Sequence, residues 1–180
     1  MPFAVELDLD DAAAERVLAL CRSLEDELGI ATINSLGARP HVSLAVYDAF
    51  PAAEGAAELA AFAASIEPMP IAIASLGCFP ASGVVFLAPV MTAELLALHR
   101  GYHGAMAHRG AACWEHYRPG HWVPHVTIAM DLDAATMTRA AERLAASWEA
   151  LPARLVSLGL IEFRPVTTRG RWKLAPARNG

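Results

Sequence analysis

Over the first ten residues Phe3, Val5, Leu7 and Leu9 alternate with Ala4, Glu6, Asp8 and Asp10, the period-two pattern of a half-buried strand over 3–9. The period then changes. Val17, Leu18, Leu20, Cys21, Leu24 and Leu28 recur at helical spacing, with Asp10 or Asp11 placed to cap the start and Gly29 to stop the helix. A strand at about 40–47 and an Ala-rich helix from Pro51 to about Ile66 follow, with Pro in the opening turn, where its missing N–H costs nothing. Residues 70–76 and 83–88 read as strands joined through 77–82. The second half predicts a helix over about 91–109, a loop around 117–120, a strand over 123–130, a helix over 134–150, a strand over 154–163 and a short strand over 172–175.

Two segments match. Pro40-His41-Val42-Ser43-Leu44-Ala45-Val46 and Pro124-His125-Val126-Thr127-Ile128-Ala129-Met130 lie 84 residues apart and are identical at four of seven positions, the rest being conservative exchanges. This is an internal duplication of one strand. Strand alternation puts His41, Ser43 and Ala45 on one face and Val42, Leu44 and Val46 on the other, and sorts the second copy the same way. Each copy offers an imidazole and a hydroxyl together, with a small Ala beyond them that leaves the face concave. Two imidazoles suit in-line attack on a phosphodiester: one takes a proton from the nucleophile and the other gives one to the leaving oxygen. The hydroxyls would hold phosphate oxygens as charge builds on them.

Composition narrows the partners. A 180-residue chain with 55% hydrophobic residues has the material for one well-cored domain, and no low-complexity linker divides it. The net charge of −5 has the wrong sign for holding long nucleic acid by bulk counterion release, so any nucleotide is gripped locally. The acids crowd the first thirty residues, and the C-terminal twenty carry Arg164, Arg169, Arg171, Lys173 and Arg178 against Glu162. Cys21, Cys78 and Cys113 are widely spaced, which indicates neither a disulfide framework nor a thiolate zinc site and fits a reducing cytoplasm. Neither an export signal nor an apolar run of membrane-spanning length is present, so the expected protein is soluble and cytoplasmic, with no membrane association and no obligatory protein partner.

Paired His-x-Ser/Thr-x motifs in two duplicated halves resemble the two-histidine phosphoesterase superfamily, which includes bacterial RNA 2′,5′-ligases and cyclic nucleotide phosphodiesterases. The resemblance covers most of the chain. It implies a bilobal α+β body over residues 1–180, its halves about 1–82 and 83–180, with two antiparallel sheets facing a central cleft and helices packed outside. It further implies metal-independent, cofactor-free action on 2′,3′-cyclic nucleotides or RNA ends, through His41 and His125 as the acid–base pair and Ser43 and Thr127 as phosphate binders. The substrate it implies is a nucleotide or short RNA. Ligase-like members often carry an Arg shortly after the second motif, where this chain has Met130; Arg164, Arg169 or Arg171 is expected to supply the charge instead.

Other residues are candidates by position. Arg39 precedes the first motif, Tyr47 shares parity with His41 and His121 with His125, and Trp172 in the basic C-terminal stretch is placed to stack a base. Trp122 and Trp114 read as core. His99 and His103, with His108, His116 and His121, suggest a metal cluster but lack a His-Glu-x-x-His arrangement, and a solvated helix face is the expected reading. A second function class uses the same cleft to bind a nucleotide without turning it over.

Overall fold

The computed structural model describes residues 1–109, 112–163 and 165–176. Among these residues seven strands and four α-helices run in the order β1 (Phe3–Leu9), α1 (Asp11–Leu28), β2 (His41–Tyr47), α2 (Ala52–Ser65), β3 (Met69–Phe79), β4 (Val84–Pro89), α3 (Ala93–Met106), β5 (Val126–Ala129), α4 (Ala134–Ser147), β6 (Leu151–Glu162) and β7 (Thr167–Lys173). The punctuation acts as its chemistry requires. Asp10 accepts the Ala13 N–H at 3.1 Å at the start of α1, and Gly29 ends that helix at φ 67° with its N–H on the Glu25 carbonyl. Asp133 likewise accepts the Thr136 N–H at 2.7 Å at the start of α4.

The α+β class is as the sequence indicates, and the strands are antiparallel throughout. Their order is β2-β1-β6-β3-β4-β5, with β7 added to β6. β6 serves two groups of strands: its first residues pair with β3 and the remainder with β1 and β7. Hydrogen bonding therefore joins both arms of the fold into one sheet. Each arm also draws on both halves of the chain, since β3 pairs with β4 and β1 with β6.

The two motif strands lie at opposite ends of this order, yet they meet. The Trp122 indole N–H donates to the Ser43 carbonyl at 2.9 Å, and the Ile33 N–H to the Ile128 carbonyl at 2.9 Å. One side of the sheet packs on the helices around Leu7, Leu44, Leu87, Ile128, Leu155 and Leu158, all unexposed. That apolar burial is the main driving force of the fold. A small separate cluster of Ala4, Val46 and Ile161, with Tyr117 and Phe163 against it, lies on the other side. Among the described residues no helix is long and apolar enough to cross a membrane.

Each motif strand carries a β-bulge at the same place. Val5 and Glu6 face Ala45 and Ser43, leaving Leu44 unpaired, and Val85 and Phe86 face Ala129 and Thr127, leaving Ile128 unpaired. A bulge frees a buried carbonyl that must find another donor. Leu44 receives it from His103 Nε2 at 3.2 Å and Ile128 from the Ile33 N–H. The bulge also reverses side-chain parity beyond it. Ala45 thus joins the main core, while Val46, expected opposite His41, turns to the cleft side with Ala4.

The duplication extends further than the histidine motifs. Ser157-Leu158-Gly159 on β6 pairs with Asp8, Leu7 and Glu6, and Ser75-Leu76-Gly77 on β3 pairs with Ala88, Leu87 and Phe86. The glycines have a steric reason. A Cβ at Gly77 would overlap the Phe86 ring, and one at Gly159 would stand 3.0 Å from Glu6 Cγ. Glu6 and Phe86 are therefore counterparts, each opposite a motif hydroxyl residue and each lying over a glycine.

Candidate active site

A proline precedes each motif histidine and biases the residue before it, Arg39 or Val123, toward extended backbone. The carbonyl of that residue meets the histidine ring in both copies. His41 Nδ1 lies 2.7 Å from the Arg39 carbonyl and His125 Nδ1 lies 2.7 Å from the Val123 carbonyl. A carbonyl only accepts, so Nδ1 carries the proton in each ring and Nε2 of the neutral form has its lone pair free. Neither Nε2 makes a hydrogen bond among the described residues. Both rings are half-buried and close enough for His41 to act electrostatically on His125.

Ser43 and Thr127 follow their histidines on the same face, each half-buried with its hydroxyl uncommitted among the described residues. Two imidazoles near enough to interact and two hydroxyls thus stand on the half-buried faces of the two motif strands. β7 adds positive charge, because Arg171 and Lys173 pair with Gly159 and Ser157 and so share the face of Glu6 and Asp8.

The surroundings of the two histidines differ. His125 sits among aromatic rings, with Phe79 at 4.9 Å edge-on, Phe86 at 5.2 Å and Tyr117 at 6.4 Å. Burial there pushes His125 below the usual histidine value, and the charge on His41 adds to the effect. Beside His41 lies a carboxylate instead, Glu6 Oε2 at 3.3 Å from Nδ1. Glu6 is only 1% exposed and Asp8 is wholly buried. Asp8 Oδ2 is held by Arg171 Nε at 2.8 Å and the Ser157 hydroxyl at 2.6 Å, whereas Asp8 Oδ1 and Glu6 Oε2 have no hydrogen-bond donor among the described residues. Desolvation drives Glu6 above the usual carboxylate range with Asp8 adding to it; His41, Arg171 and Arg39 oppose the rise.

Behind β2 a buried layer fixes the motif backbone. The His99 ring stacks on Trp122 at 4.0 Å and 4°, and Trp122 holds the Ser43 carbonyl. His103 Nε2 reaches the Leu44 carbonyl and lies 3.1 Å from His99 Nε2, which itself is 2.9 Å from the Tyr117 carbonyl. His99 is 1% exposed, so the solvated helix face expected for it is replaced by a buried one. Burial pushes His99 down to about 4 and lowers His103 as well. Among the described residues no group of three or more His, Cys, Asp or Glu is arranged to hold a metal ion.

The remaining sequence candidates divide by what the tertiary structure does with them. The Arg39 guanidinium is tied to the Leu9 carbonyl at 3.0 Å and to Asp11 at 2.6 Å, so it braces the start of α1 beside Asp8. Tyr47, expected at the cleft, is 3% exposed in the main core and shares a hydrogen bond with Tyr102, because the Leu44 bulge reverses its parity. His121 is exposed on the turn before Pro124; β5 begins only at Val126, so strand parity does not reach it. Trp172 pairs with Leu158 and packs on the helix side over Gly170, away from the cleft face of β7. Trp114, expected in the core, is 38% exposed with its indole N–H on Asp48. Arg164 and Arg178 lie outside the described residues, and Arg169 is paired with Glu162.

Glu6, Asp8, Phe79, Phe86 and Tyr117 are the site residues that pattern reading passed over. The Ser-Leu-Gly repeat, 82 residues apart, was the available signal, since it marks the strands that flank the site.

A family model described as the 2′-5′ RNA ligase superfamily matches residues 9–166. No curated protein matches this chain. Among solved structures, that of TT0787 from Thermus thermophilus superposes with TM-score 0.64 at 15% identity, covering 99% of this chain and 100% of the other. Escherichia coli LigT complexed with NADP+ gives 0.61 at 19% identity over 96% of both chains. LigT complexed with 3′-AMP gives 0.61 at 20% identity over 97% of this chain and 99% of that one. These likenesses show a shared fold.

Proposed function

Because the chain belongs to the 2′-5′ RNA ligase superfamily, we propose that it opens 2′,3′-cyclic phosphates of nucleotides or RNA ends, or acts on 2′,5′ linkages, by two-histidine acid–base catalysis. The observation that carries the reading is the matched tautomer lock: both Nδ1 protons are held by backbone carbonyls, so two Nε2 atoms are free on one cleft with two free hydroxyls. In hydrolysis of the cyclic ester a water oxygen bonds to phosphorus while one Nε2 takes the water's proton. The P–O2′ or P–O3′ bond breaks, and the other ring, charged beforehand, gives its Nε2 proton to the departing oxygen. Once the product has left, the first ring releases its proton to solvent and the second takes one up, which restores the starting enzyme. Ser43 and Thr127 donate to the non-bridging oxygens. Arg171 and Lys173 offset the phosphate charge next to a chain whose net charge is −5, which favours mononucleotides and short RNA over long RNA. The complexes of LigT with NADP+ and 3′-AMP support a nucleotide as the occupant of the cleft.

The test is to incubate the protein with 2′,3′-cyclic mononucleotides in EDTA, beside His41→Ala and His125→Ala, and to resolve the products by chromatography. Turnover by the wild type that falls at least about 10²-fold in each variant, with melting temperature retained, is the expected result. A nucleotide that raises the wild-type melting temperature without being converted would establish a binding module instead. Conversion of 2′,5′-linked oligonucleotides alone would move the substrate to that class.

A further inference from the structure

The duplication supplies two matching histidine motifs whose neighbouring strands differ, with Glu6 and Asp8 beside the first where Phe86 and Ala88 stand beside the second. Opposite Ser43, over Gly159, stands Glu6; opposite Thr127, over Gly77, stands Phe86. We infer that Glu6 is the positioning residue that makes the two histidines unequal: it holds the proton on His41, which serves as general acid and leaves His125 as general base. This rests on the two-histidine reading of the site.

The geometry supports it from both sides. Glu6 Oε2 is 3.3 Å from His41 Nδ1 and has no hydrogen-bond donor among the described residues, so the ring is the positive partner available to that oxygen. The other charged groups around Glu6 are accounted for. Asp8 on β1 carries the second negative charge and is paired with Arg171 from β7 at 2.8 Å; Arg171 Nη2 stands off Glu6 Oε1 at 3.8 Å, and Arg39 is 4.0 Å from Asp8 and bonded to Asp11. From β6 come Gly159 and Ser157, neither charged. A buried carboxylate at this distance favours the charged form of an imidazole through its field. At His125 three aromatic rings stand where a carboxylate would be needed, and the charge on His41 is itself repulsive to a second imidazolium. A protonated His41 therefore keeps His125 neutral, the two states that the reaction needs at once.

The experiment is a pair of measurements on wild type, Glu6→Gln and Glu6→Asp: the pH profile of kcat/KM on a 2′,3′-cyclic mononucleotide, and the titration of the histidine rings by NMR. Glu6→Gln is expected to move the alkaline limb down by about one pH unit, a loss of about tenfold above that limb, with the acid limb in place. Glu6→Asp, which keeps the charge, recovers part of the shift. By NMR the His41 ring loses its proton at lower pH in Glu6→Gln, while His125 moves less. An unmoved His41 titration in a folded Glu6→Gln protein overturns the inference, and so does a shift confined to the acid limb. Lack of turnover by the wild type counts against the cyclic-phosphate reading alone, because the ring titrations still decide what Glu6 does.

Discussion

His41 and His125 each donate Nδ1–H at 2.7 Å to the carbonyl two residues upstream. The prolines between donor and acceptor make this contact local, so each motif carries its own tautomer lock wherever its strand is placed. What the tertiary structure adds is their meeting on one cleft and the difference between Glu6 and Phe86.

The free hydroxyls of Ser43 and Thr127 imply a role in holding charge that develops on phosphate. Ser43→Ala and Thr127→Val are each expected to lower kcat on the order of 10²-fold while leaving the melting temperature near that of wild type. Steady-state kinetics with a thermal melt checks both; an unchanged kcat in both variants would remove the hydroxyls from the mechanism.

With His125 as base, activity requires its neutral form. Burial among Phe79, Phe86 and Tyr117 lowers its proton affinity, which places the acid limb of kcat/KM below the ordinary histidine value of about 6.5. Phe86→Ala admits water to the ring and is expected to move that limb to higher pH. The same profile measured on both proteins decides it.

His99 bears on stability. Its folded value of about 4 lies below the unfolded value of 6.5, so the unfolded chain binds the extra proton between those pH values and stability falls as pH drops through that window. From pH 7.5 to pH 5 the loss attributable to this residue is about 2 kcal/mol, or about 4–8 °C in Tm. Melting curves at the two pH values, for wild type and His99→Phe, are expected to show a smaller drop in the variant.

Trp122 holds the Ser43 carbonyl, next to the bulged Leu44. Trp122→Phe keeps the stack on His99 and removes the donor, so a loss of about 1–2 kcal/mol is expected. Denaturant unfolding measures it. A larger fall in kcat than in stability would show that the carbonyl's position is transmitted to the Ser43 hydroxyl.

Local pattern carried much of the fold. The alternation over 3–9 gives β1 to the residue, and the Asp10 and Gly29 signals bound α1, because caps and periodicity depend on neighbours in sequence. The second motif strand is shorter than its pattern, four residues against the eight read, since Pro124 delays its pairing until Val126. Tyr47 and Trp172 went to the core for reasons that no local window contains: a bulge set by the register with β1, and a face of β7 set by its pairing with β6.

The sequence by itself determined the duplicated Pro-His-x-Ser/Thr segments, hence the identity of the paired histidines and the hydroxyls beside them. Only the tertiary structure decided that Glu6 and Asp8, which look like the wet side of a half-buried strand, lie on the cleft floor. Alternation reports that two faces differ, and what covers the second face is brought there by β6 and β7, some 150 residues along the chain.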